Sequence, residues 1–149
     1  MKKERLLLSF LVLLIGSFCF NALAYSDGEL FSIARHASKI AAQKMSAKVS
    51  PNIYDNPDYD IDSGTIKYNT EAQKLEFHVK LSWSAKNQLF FGTRDICETW
   101  GKMYVDLSNG TNEMKARFVP EGKNHWCEVC EKTHNLDILD EVLIFIISN

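Results

Sequence analysis

The sequence has no glycine-rich phosphate loop, no serine elbow and no pair of histidines at helical spacing. Their absence removes the usual signatures of nucleotide cradling, of serine hydrolysis and of a helix-borne catalytic zinc. An excess of positive charge is missing too. The 149 residues carry a formal net charge of −2, without the basic stripe that neutralises phosphates, which argues against nucleic acid or anionic lipid as a partner. Long apolar runs are confined to the first 24 residues, and no later stretch has the length of a spanning helix.

That first stretch reads MKKERLLLSFLVLLIGSFCFNALA: Lys2, Lys3 and Arg5, then an apolar run from Leu6 to Phe20, then the small-residue exit Ala22-Leu23-Ala24. This is the pattern of a secretory signal peptide, with cleavage expected after Ala24. Phe18 stands before Cys19 where a lipoprotein signal would carry a small residue. The lysine-rich start is bacterial in style, so the expected address is periplasmic or extracellular, with no membrane attachment after the leader is removed. Residues 25–149 would then form a single α+β domain, long enough for one core. The leader takes three bases and one acid, leaving 14 Lys plus Arg against 18 Asp plus Glu, a net of −4.

Ser26 and Glu29 have the spacing of a capping box, in which each satisfies an orphan backbone donor of a first helical turn. Leu30, Ile33, Ala34, Ala37, Ile40, Ala41 and Met45 follow at the three- and four-residue spacing of one helical face, and Pro51 is the expected stop. His36 lies beside that face and reads as a solvated or hydrogen-bonded bystander. Residues 51–64, PNIYDNPDYDIDSG, read as a loop. Within it Asp58, Asp60 and Asp62 alternate and would line one side of an extended chain. Gly64 falls one place too late for the glycine of a calcium loop and Asn69 stands where its glutamate belongs, so the acidic stretch 55–62 reads as solvated.

Further on, Leu75, Phe77, Val79, Leu81 and Trp83 alternate with polar residues, the mark of a strand with one dry face and one wet face. His78 falls on the wet face. Thr65 to Asn69 reads as a shorter strand and Leu89 to Phe91 as another apolar piece. The run EVLIFIIS at 141–148 is apolar without interruption from Val142 to Ile147, as expected of a strand covered on both faces or central in its sheet. Asn109-Gly110 predicts a two-residue hairpin turn, which would set Val105 opposite Met114, Met103 opposite Ala116, Gly101 opposite Phe118 and Cys97 opposite Gly122. Together these signals predict an amphipathic N-terminal helix on a curved, mainly antiparallel sheet of about five or six strands.

Three cysteines remain after the leader: Cys97, Cys127 and Cys130. Trp126 to Glu131, WCEVCE, resembles the thioredoxin active-site motif, which would imply an activated thiolate at Cys127. The resemblance ends there, since only 19 residues follow Cys130 and that fold requires several more strands and helices. Glu128 and Glu131 also disfavour a thiolate. A zinc tetrahedron could be furnished by Cys97, Cys127 and Cys130 with His125 or His134. Glu131, standing where haem attachment needs histidine, excludes that group. Export favours a disulfide, Cys127 with Cys130 or alternatively Cys97 with Cys127, and no cofactor.

No catalytic residues emerge. Trp100 and Tyr104 are out of phase with Gly101, Met103 and Val105 and so are expected on the face turned away from the core. With His78 they form the candidate binding surface for a protein or small ligand. The expected function is a non-catalytic binding or interaction module; the alternative is a zinc-binding or thiol-redox accessory protein centred on Cys127 and Cys130.

Overall fold

A computed structural model describes residues 24–49, 54–85, 96–127 and 142–148, with side chains except at 54, 85 and 122–127. Helix α1 (Asp27–Ser46) precedes strands β1 (Tyr54–Asn69), β2 (Lys74–Ala85), β3 (Ile96–Asp106), β4 (Glu113–Cys127) and β5 (Leu143–Ser148). The strands pair strictly in sequence order, β1-β2-β3-β4-β5, every pair antiparallel, and the sheet is not closed. The fold is α+β in two layers. Leu89 to Phe91 falls outside the described residues.

The capping box forms as its spacing predicts. The Glu29 amide donates to Ser26 Oγ at 3.3 Å, while the Ser26 amide and hydroxyl donate to Glu29 Oε2 at 2.8 and 2.7 Å. These bonds to the ionised form hold the Glu29 carboxyl below its usual range. The buried helical face includes Ser38 and Ala42 besides most of the residues expected, while Ile40 is only partly buried. Ser38 enters the core at no polar cost because its hydroxyl donates to the Ala34 carbonyl at 2.8 Å. The helix stops at Ser46, before Pro51 can act: Val49 turns back into the core, and the amides of Lys48 and Val49 both donate to the Met45 carbonyl.

Small residues at Ala34, Ala37, Ser38, Ala41 and Ala42 let the helix lie close on the sheet, chiefly against β1 and β2. The dry face of β2 meets it with Leu75, Phe77, Val79, Leu81 and Trp83, all essentially inaccessible to solvent. Trp83 is the largest of these, and its indole Nε1 donates to the Ala42 carbonyl at 3.0 Å. A buried indole with its N–H satisfied contributes its full apolar area without a desolvation penalty. Its truncation to alanine in a core of this kind costs about 3–5 kcal/mol.

Three expectations are corrected. Residues 54–64 are strand, not loop: β1 runs as an edge strand with irregularities after Asp55 and after Asp62. At the second irregularity the Thr65 hydroxyl stands in for the ladder, accepting from the His78 amide at 2.8 Å. Acid-rich composition there reflects a solvated edge whose pairing lapses after Asp55 and after Asp62 and resumes beyond each. Among the described strands β5 likewise stands at an edge rather than in the centre, and Ile144 and Ile146 on its outer side are 74% and 51% exposed.

The β3–β4 register also differs by two residues, with Val105 opposite Ala116 and Met103 opposite Phe118. The reason is the turn. Leu107 is drawn into the core, its amide donating to the Gln73 carbonyl, and the Gly110 amide closes back on Leu107 with φ at +79°. A six-residue connection therefore replaces the two-residue one. Past Gly101, which pairs with Pro120, the two residues back to Thr99 are matched by five in β4, so Thr99 faces His125 and Cys97 faces Cys127 rather than Gly122.

Gly101 is fixed by that crowding. A β-carbon there would fall on the Val119 carbonyl and within 2.6 Å of the Phe118 ring. Gly101→Ala should therefore lower stability by about 1–3 kcal/mol in urea denaturation. Adding Phe118→Leu should recover none of it, because the backbone clash remains and a buried ring is lost; recovery in the double variant would contradict this packing.

Candidate functional site

Alternation along the strands gives the sheet a second face, opposite the helix, and the register arranges its side chains in rows. One row crosses all five strands: Lys67, Glu76, Tyr104, Arg117 and Ile144. The next comprises Asn69, Lys74, Asp106, Lys115 and Ile146. Over these rows lies an open depression of about 1000 Å³, reached also by Tyr68 and by the β1–β2 turn. Arg117 stacks on the Tyr104 ring at 4.9 Å from its centroid, so the wall combines an aromatic face, a cation over it and the aliphatic Ile144.

Charge in the depression is mixed, with Lys67, Lys74, Lys115 and Arg117 against Glu71, Glu76 and Asp106. Asp106 is committed to the turn. Its Oδ1 accepts from the Ser108 amide at 3.0 Å. Hydrogen bonding by Ser108 holds the Asp106 carboxyl below its usual range, and the fields of Lys74 and Lys115 act in the same direction. Burial, together with Tyr25 packed edge-on at 5.4 Å, pushes the Tyr68 hydroxyl upward.

The three residues singled out from sequence for this face all lie on it. Trp100 is 45% exposed, with the Lys80 ammonium 5.3 Å from its ring centroid. Tyr104 is half-buried between Glu76 and Arg117 in its row. His78 lies between Asp62 and Lys102 in another row, and its Nε2 is 3.4 Å from Glu121, which also approaches Lys102 at 4.0 Å. Tyr104 lines the depression, whereas Trp100 and His78 stand apart from it along the same face. No local signal in the sequence marks Arg117, Lys115 or Ile144: a two-residue turn at Asn109-Gly110 puts Lys115 rather than Arg117 beside Tyr104, and the apolar run of β5 reads as covered or central.

Cys97 is buried on the inner side of β3, between Trp83 of β2 and position 127 of β4 in the register. Cys130 and His134 lie outside the described residues, as do the side chains of His125 and Cys127. Among the described residues no group of three or more histidine, cysteine, aspartate or glutamate side chains is gathered to hold a metal ion. Asp58 and Asp62 accept from the nearby amides of Tyr59 and Gly64, and Asp60 pairs with Lys80 in the register. Away from the sheet's outer face, His36 Nε2 lies 3.4 Å from the Ser148 carbonyl, tying the helix to β5.

Comparison of the chain with protein-family models, with curated proteins and with solved structures gives no match.

The depressed Asp106 carboxyl makes a pH prediction. Its contribution to stability is full above the ordinary carboxylate range, near pH 4, and disappears as pH falls through the lower folded-state value. Asp106→Asn should reduce stability at neutral pH and flatten the decline below about pH 4. Thermal unfolding across an acid series checks this; an unchanged acid limb would remove Asp106 from the account.

Proposed function

We propose that this is an exported, non-catalytic binding module that uses the outer face of its sheet, a curved surface in this reading, to hold a protein or small ligand. The observation that carries the reading is the depression walled by Tyr104, Arg117 and Ile144. An aromatic ring, a cation over it and an exposed aliphatic side chain combine apolar contact with orientation, as recognition surfaces do. Trp100 extends the same face with a second ring under a second cation. Both are side chains of strands locked into the core through alternate residues, so the surface is held before a partner arrives.

Export rests on the leader-like opening and assigns the chain to the periplasm or the extracellular space. An oxidising compartment favours pairing of cysteines. Opposed residues on antiparallel strands have α-carbons about 4.5–5.5 Å apart, inside the range a disulfide spans. The opposition of Cys97 and Cys127 therefore favours that bridge over Cys127 with Cys130. Closing the intervening loop would contribute about 3–4 kcal/mol by loop entropy. The other reading, a zinc or thiol-redox centre at Cys127 and Cys130, draws support from the motif alone.

Two experiments test these statements. Affinity capture from an extract of the source cells, with the chain lacking its leader, should retain a partner that the double variant Trp100→Ala, Tyr104→Ala loses. Truncating one anchor of this kind costs about 2 kcal/mol of binding, roughly thirtyfold in affinity, while surface substitution leaves unfolding within about 0.5 kcal/mol. Equal capture by both proteins would move the binding surface elsewhere, and an unfolded double variant would make the rings structural. For the sulfurs, alkylation followed by peptide mass spectrometry should yield a reducible Cys97–Cys127 pair. Three free thiols with bound zinc would favour the metal centre instead.

A further inference from the structure

The two edges of the sheet are guarded unequally. β1 carries Asp55, Asp58, Asp60 and Asp62, holds Pro57, and departs twice from regular pairing. Charge, proline and irregular register are the devices that keep an edge strand from pairing with another chain. β5, LIFIIS, has none of them: no charged residue, no proline, no glycine and no irregularity against β4. Among the described residues no strand lies on its far side. Its outward side chains Ile144 and Ile146, with Val142 just before the strand, are β-branched and exposed, while Phe145 and Ile147 are buried in the core.

We propose that β5 is a dimerisation edge, pairing antiparallel with β5 of a second copy of this chain to make one continuous ten-stranded sheet. An isologous contact requires a strand complementary to itself. A charged residue would often meet its own kind across the two-fold axis, which destabilises a cross-strand pair; the uncharged β5 has no such conflict. Opposed residues in an antiparallel pair share a face, so inward side chains must meet inward ones. A register centred on Phe145 does this over the whole of 142–148, setting Ile144 of one copy opposite Ile146 of the other. That pairing covers one flank of Ile144, the most exposed isoleucine among the described residues, leaves its outward end on the depression, and keeps both helices on the same side of the joined sheet. Lys115 and Arg117 on β4 would stand three strand spacings from their counterparts, about 14 Å. That exceeds the screening length of about 8 Å at physiological salt. Pairing of β5 with β1 of another copy would instead be head-to-tail, and the acids, proline and irregularities of β1 oppose it.

Sedimentation equilibrium of the full chain freed of its leader should give twice the monomer mass, and Ile146→Lys should return it to the monomer with its circular dichroism unchanged. Asp60→Lys, on the opposite edge, should leave the dimer intact. Hydrogen exchange supplies a readout independent of any variant. In a dimer, successive amides of 143–148 are all protected, and more so as protein concentration rises; in a solvated edge strand every second amide exchanges freely. A wild-type monomer at all concentrations, protection that ignores concentration, a dimer untouched by Ile146→Lys, or polymers lost on Asp60→Lys would each overturn the proposal. So would a monomer whose β5 amides become protected only on adding an extended peptide, which would make the edge a site for a different partner.

Discussion

A single hydrogen bond in the core, from the Trp83 indole to the Ala42 carbonyl, states the constraint on which this structure rests. The sheet has one face of large side chains, and it must be covered by something able to approach closely and to accept one polar proton. A helix with alanine or serine at five positions of its buried face answers both demands. Alanine permits the approach, and the helix carbonyl accepts from the ring. Everything else on the dry side, from Phe77 to Phe118 and Ile147, is then arranged around that seam.

Much of this is legible from residue order. The alternation from Leu75 to Trp83 marks its strand because one wetted and one buried face is the only arrangement that fits it. Ser26 and Glu29 mark the start of the helix because their geometry is local and needs no partner from afar. What the chain hides are relations between distant segments. The acids and Pro57 of β1 look like a loop, since composition reports solvation and an edge strand is solvated. The apolar β5 looks central because hydrophobicity does not reveal whether a neighbour is present. Register is subtler: Gly110 does mark the turn, but the burial of Leu107 widens it, and a two-residue slip preserves every inward and outward assignment while changing every partner.

That last point governs the candidate site. Trp100 and Tyr104 could be assigned to the outer face from phase alone, whereas the stacking of Arg117 on Tyr104 depends on register and so waits for the structure. The opposition of Cys97 to Cys127 is of the same kind, produced by three extra residues in β4 past Gly101. Face is a local property of a strand, and partnership is not. The chemistry of this molecule's surface lies mostly in partnership.

The strictly sequential strand order has a consequence for how the chain comes together. Each hairpin closes between segments adjacent along the polypeptide, so the sheet can assemble by successive addition in chain order. The helix is made before any of it, yet one of the strands it rests on, β5, is made last, and His36 reaches the final residue of that strand. An amphipathic segment laid down first is therefore seated in stages, most of its greasy side on the β1–β2 hairpin and the remainder only when β5 arrives.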